Sequence, residues 1–198
     1  MQRIQASHHT HLKTPTRRLF LGTNAIALSA GAIALLGGCD AFAAGKPADI
    51  KNDLAILNVA VGLEHEGINA YQLGIKSGLL QPNVVVVATK FQDDHKAHRD
   101  ALIETILKMG GKPVEEKLLA DYAKALKIDT LKSQDDVLDL AARLELGATN
   151  AYLGVIPAFK DSALAKIAGR LAADEAVHFA LLNFDLKRPL PKAFAFGA

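Results

Sequence analysis

The chain has 198 residues, half of them apolar, no tryptophan and a formal net charge of +2. That size and composition suit one globular domain behind a short targeting segment and exclude a fibrous, low-complexity or disulfide-stapled protein. Its one cysteine, Cys39, excludes an internal disulfide.

The first 43 residues read as an export signal. TRRLFLG from Thr16 to Gly22 precedes an apolar run from Ala25 to Leu36, which is too short for an ordinary membrane span. Arg17-Arg18 followed by Leu-Phe-Leu looks like a twin-arginine (Tat) signal, which would make the Tat translocase a transient partner and the periplasm or cell envelope the destination. Two cleavage sites compete. Leu36-Gly37-Gly38-Cys39 resembles a lipobox that would lipidate Cys39 and anchor the chain to the membrane, and Ala41-Phe42-Ala43 resembles an ordinary signal-peptidase site. The mature domain would then span 44–198. Removing 1–43 takes away Arg3, Lys13, Arg17, Arg18 and Asp40, leaving 19 basic and 20 acidic residues and a net charge of 19 − 20 = −1. The basic balance belongs to the signal, so no nucleic-acid partner is expected. Of seven histidines, His65, His95, His98 and His178 remain.

Four long segments then show helical periodicity. The first, about Asp49 to Lys76, has the stripe Leu57, Val61, Glu64, Ile68, Tyr71 and Ile75, and Gly78 and Pro82 end it. The second, about Asn83 to Met109, has Phe91, His95, His98, Leu102 and Met109 in register and stops at Gly110-Gly111. Val84 to Val87 would suit a short strand, but the continuing period favours helix. A minor helix is expected over Glu115 to Leu126, inside a crossover of more than twenty residues whose lysines and glutamates read as solvated surface. The third helix starts at Ser133, an N-cap with Asp136 three residues on, and carries Leu138, Ala141, Glu145, Ala148, Tyr152 and Val155. The fourth, about Ser162 to Asp185, carries Leu164, Ala168, Leu171, Glu175, His178 and Leu182. Short, long, short connections describe two helical hairpins joined by a crossover, an all-α four-helix bundle.

The hairpins repeat. LEHEGINAY from Leu63 answers LELGATNAY from Leu144, and DHKAH from Asp94 answers DEAVH from Asp174. The offset is 145 − 64 = 81 residues for the glutamates and 178 − 98 = 80 for the histidines, as in a duplicated hairpin. The repeated ionisable residues Glu64, Glu145, Glu175, His95, His98 and His178 occupy core positions. A lone buried carboxylate costs several kcal/mol or takes up a proton. Six such groups facing one another are better explained by metal ions, and carboxylate oxygen with imidazole nitrogen suits iron, manganese or zinc. His65 and Glu66 lie off the stripe and read as surface residues. Asn69 and Asn150 repeat, with hydrogen bonds between helices as a sufficient role.

At these motifs the chain resembles the ferritin-like superfamily, and most the exported ferritin-like domain proteins, over roughly residues 50 to 185. The resemblance implies a ferritin-like bundle whose metal ligands are Glu64, His98, Glu145, Glu175 and His178, with iron-type metal, one or two ions per chain. It implies that Asp94 and Asp174 each hold a ligand histidine by its other ring nitrogen. Tyr71 and Tyr152, two turns beyond the helix glutamates, would hydrogen-bond near the site or pack. His95 departs from the pattern, because the family has a glutamate there, commonly bridging two metals. With His95 the second ion would bind weakly, be softer (zinc or copper), or be absent. The function implied is an exported metal-binding protein, an oxidoreductase or ferroxidase, with a non-catalytic envelope stress or desiccation protein as the alternative.

Overall fold

A computed structural model describes residues 48–193 and 195–197. The expected export signal, with Cys39, lies outside the described residues. Four long helices dominate: α1 (Ala48–Lys76), α2 (Pro82–Lys108), α4 (Gln134–Val155) and α5 (Ser162–Asp185), with the short α3 (Leu119–Ala125) in the crossover. The chain is all-α as its periodicity predicts, and Val84 to Val87 lie inside α2.

Local chemistry sets the helix ends. Pro82 opens α2, where its missing N–H costs nothing. At the other end Gly110 takes φ 78°, and Gly111 N–H donates to Ile106 O at 2.9 Å. That reversal needs a left-handed residue, which glycine supplies without a Cβ clash. Ser133 and Asp136 form the expected capping box at α4. Asp161 caps α5 by accepting from Ala163 N–H at 2.7 Å. The minor helix is shorter than expected, since it starts at Leu119 and residues 112–118 run without regular structure along the flank of α1. Asn58 fastens this strap by accepting from Val114 N–H at 2.6 Å.

The closest pairings are α1 with α2 and α4 with α5, the two hairpins. Inward-facing residues form two apolar clusters with a polar layer between them. Leu57, Val61, Leu102, Ile106, Leu164 and Leu171 fill one side. Val84, Ala88, Phe91, Leu138, Ala142 and Leu182 fill the other. Along every long helix the stripe passes from one cluster through ionisable residues to the other, so all four helices deliver charge to one level. Among the described residues, no helix is long and apolar enough to cross a membrane.

Two expectations are corrected here. His65 and Glu66 are not surface residues but only 5% and 7% exposed. The strap and α3 pack along this side of α1, and Asn69 ties the strap down by donating to Glu116 Oε1 at 2.6 Å. The repeated asparagines do not link bundle helices either. Asn69 also donates to His65 O within its own helix, and Asn150 accepts from Gly197 N–H in the C-terminal tail, each at 2.8 Å.

Candidate metal centre

The structure brings all six ionisable stripe residues into the polar layer, each buried. They form two overlapping groups, Glu64, His95, His98 and Glu175, and His95, Glu145, Glu175 and His178. Within each group one ligand atom per residue lies within 4.8 Å of the others. His95 and Glu175 belong to both groups and stand between them.

His95 spans the centre. Its Nδ1 lies 2.8 Å from Glu64 Oε2, and its Nε2 lies 3.3 Å from Glu145 Oε1. His98 Nδ1 meets Glu175 Oε1 at 3.1 Å, and His178 Nδ1 meets Glu175 Oε2 at 3.1 Å. Glu175 therefore has one oxygen toward each of the repeated histidines, a placement that its spacing on α5 delivers through the i, i+3 relation to His178.

The surrounding residues cross between hairpins. His98 Nε2 lies 3.2 Å from Asp174 Oδ2 on α5, and His178 Nε2 lies 3.4 Å from Asp94 Oδ2 on α2. Each aspartate thus faces the outer nitrogen of the other hairpin's histidine and leaves Nδ1 directed inward, the arrangement that orients a metal-binding imidazole. The tyrosines cross in the same way. Tyr71 on α1 donates to Glu145 Oε1, and Tyr152 on α4 donates to Glu64 Oε1. Phe91 stacks on the His178 ring at 4.0 Å between centroids. Gly67 lies beneath His95, and a Cβ there would stand 3.1 Å from the ring, so the ring would have to shift. The sequence motif holds Gly67 inside LEHEGINAY, but nothing in its spacing says that a side chain from α2 fills its place.

The electrostatics follow from burial and from the three carboxylates. Burial pulls the His95 pKa down, but Glu145, Glu64 and Glu175 outweigh it and hold the imidazole well above its usual value. Burial opposes protonation of His178 as well, and Glu145 and Glu175 nevertheless push it up to about 9. His98 is raised against burial by Glu175 and Glu64. Burial would raise Glu145, but the neighbouring His95 and His178 hold it far below the usual carboxylate range. Glu175 goes the other way, raised by burial more than its histidine neighbours lower it. Burial and then the carboxylate partners push both tyrosines well up, so each is a neutral donor.

The donor set fits a transition metal. Three carboxylates and three imidazoles converge, and Glu145 Oε2 is buried with no hydrogen-bond partner. A buried carboxylate oxygen left unpaired is costly unless something binds it. Glu64, His98 and Glu175 would hold one ion, and Glu145, Glu175 and His178 a second, with His95 within reach of either.

A four-helix bundle with crossed glutamate, histidine and aspartate sets from two repeated hairpins defines a class, the carboxylate–histidine bundles. Residues 52–187 match the family model described as Ferritin-like domain, and the chain belongs to that family. Among solved structures, it is similar to the crystal structure of a conserved hypothetical protein, Rv2844, from Mycobacterium tuberculosis. The TM-score is 0.59 at 20% identity, covering 71% of this chain and 99% of that one. At that identity the likeness bears on architecture alone. No curated protein matches the chain.

Proposed function

We propose that the protein is an exported metal-binding protein whose centre takes transition-metal ions of the iron type, one or two per chain, and serves as an oxidoreductase or ferroxidase. Manganese and zinc suit the same donors. The single observation that carries this reading is the convergence of two four-residue Glu/His groups in one buried layer. Bound metal would supply Lewis-acid and redox chemistry in a buried layer. The protein's own contributions are positional. Asp94 and Asp174 set the histidine rings, Tyr71 and Tyr152 fix the glutamates, and two apolar clusters flank the layer above and below.

Export rests on the sequence of residues 1–43, and Arg17-Arg18 is its support. A Tat route fits a protein that must load metal while folded. Replacing both arginines by lysine should leave the chain inside the cell; unchanged export would exclude the route.

One observation favours a second reading, a non-catalytic envelope stress or desiccation protein. His95 stands at the shared centre of the two groups where the family has a glutamate. Two divalent ions carry +4 against −3 from three carboxylates, and a neutral ring cannot bridge as a carboxylate does. The deciding measurement is the metal content of protein purified from its own envelope. About one equivalent or more supports the centre, and less than about a tenth of an equivalent overturns both readings. Given metal, oxidation of ferrous iron or turnover of peroxide separates catalyst from carrier.

A further inference from the structure

A cavity of about 230 Å³ opens beside the polar layer, on the side bounded by the C-terminal half of α1, the N-terminal half of α2 and the start of α4. His95, Glu145 and Tyr71 form its inner end. Val87, Leu181 and Phe184, exposed at 44%, 49% and 74%, lie at its outer end and connect it to solvent. The walls between are almost wholly apolar. A second cavity on the opposite side of the layer, lined by Tyr152, Leu57 and Leu171 among others, measures only about 20 Å³.

These two spaces are equivalent under the internal repeat. Adding 81 to α1 numbers and 80 to α2 numbers, and subtracting the same from α4 and α5, carries the large cavity's walls onto the small one's. Tyr71 falls on Tyr152, Ala88 on Ala168, Leu138 on Leu57 and Leu182 on Leu102, all unchanged in type. The differences decide the volume. Gly74 answers Val155, Val84 answers Leu164, Val87 answers Ile167 and Val137 answers Ile56, so the open side has the smaller residue each time. Where Phe159 lines the small cavity, its counterpart is Gly78 in a turn at φ 73°. Among positions that line both cavities, two pairs run the other way. Phe91 is larger than Leu171, but it is turned onto His178, and Leu140 exceeds Val59. One bundle architecture has thus been filled on one side and left open on the other. A void of this size in a packed interior forfeits contacts, and the filled counterpart shows that the fold itself does not require it.

We propose that the large cavity is a binding site for a small, uncharged, apolar organic molecule, held with one end against His95, Glu145 and Tyr71. The size follows by scaling. An apolar protein cavity of roughly 150 Å³ takes benzene, so this one takes about nine carbons. The charge follows from the wall. Among the described residues, its ionisable groups besides Tyr71 and His95 are Glu66, Glu145 and Asp185, and His95 is already engaged by Glu64 and Glu145, so a carboxylate-bearing chain would meet acidic groups at both ends with no free cation between. Gly74 is the position to test, since the filled side has Val155 there and a Cβ at Gly74 would stand 3.0 Å from Val137 Cγ1, so that a valine must displace Val137 and crowd the wall both residues line. That the ligand is presented to a metal rests on the metal reading above, whereas its binding does not.

The test is calorimetric titration of the full-length mature protein with 1-nonanol, before and after chelation, with nonanoate as the charged comparison. The expected result is saturable 1:1 binding of 1-nonanol in both preparations, at least tenfold weaker binding of nonanoate, and at least tenfold loss in Gly74→Val, which imports the residue of the filled side. Absence of saturable binding to the wild type, or undiminished binding to a folded Gly74→Val, overturns the proposal. If that variant fails to fold, wild-type crystals under xenon decide. Xenon in the large cavity and not in the small one supports the site, and xenon in neither or equally in both overturns it. If protein purified from its own envelope holds no metal and still binds 1-nonanol, the cavity stands and the metal reading falls. Metal without 1-nonanol binding would do the reverse.

Discussion

His95, with Glu175, stands in both groups of the candidate metal centre, and the imidazoles there set two expectations. Its neighbour His178, pushed up to about 9, holds a proton that a metal must displace. In chelated protein, a raised imidazole pKa contributes stability that is fully present below the unfolded value near 6.5 and is lost as pH rises through about 9. Glu145, held low, contributes stability present above its unfolded value and lost as pH falls. Thermal unfolding of the chelated protein should therefore peak between about pH 5 and 6.5 and decline toward 9. Metal affinity should move oppositely, tightening about tenfold per pH unit for each proton displaced over that range. A flat affinity profile between pH 6.5 and 9 would mean that these imidazoles are not ligands. The second expectation concerns charge. His95→Glu supplies a fourth carboxylate and should raise occupancy from about one ion toward two, read by elemental analysis after dialysis against limiting metal. Unchanged stoichiometry would show that His95 is not what limits the second ion.

At the scale of elements, two of the three glycines of α1 have opposite consequences. An alanine at position 62 meets nothing within 4 Å, so Gly62→Ala should gain up to about 1 kcal/mol of helix stability with metal affinity unchanged. Gly67→Ala gains the same helix term but forces the His95 ring away from Glu64, and metal affinity should fall several-fold with little net change in Tm. Equal metal affinities in the two variants would separate Gly67 from the site. At the start of α4, Ser133→Ala removes a capping box and should cost about 1 kcal/mol, measured by denaturant unfolding, without altering metal stoichiometry. The element boundaries were largely legible in the sequence because cap, proline and glycine signals act locally; α5 begins and ends where its periodicity predicts. The flank of α1 was not legible. His65, Glu66 and Asn69 lie off the bundle stripe, and what covers them is an irregular strap, which has no period to read.

For the molecule as a whole, the polar layer makes stability depend on loading. At metal concentrations a hundredfold above Kd, binding adds about 2.7 kcal/mol, which at this size should raise Tm by roughly 5–11 °C over chelated protein. No shift on adding ferrous, manganous or zinc ions would mean that the layer is held by its own ion pairs alone. The repeat made the candidate ligands legible, since polar residues that recur at 81 and 80 residues on core stripes stand out against any single motif. It did not reveal which partner each would find, because exchange between hairpins depends on how the two pack and leaves no mark on either alone.

That exchange has a consequence for how such a chain can change. Each hairpin lends its tyrosine and aspartate to the other's glutamate and histidine, so one hairpin by itself is half a machine, and two identical copies would complete one another. In a symmetric pair of separate chains every mutation appears twice, and a residue trimmed to make room on one face is trimmed on the other. Once the two halves share a single backbone, Gly74 and Val155 answer to different needs. Covalent fusion is what lets a molecule of two similar halves keep one door shut and leave the other open.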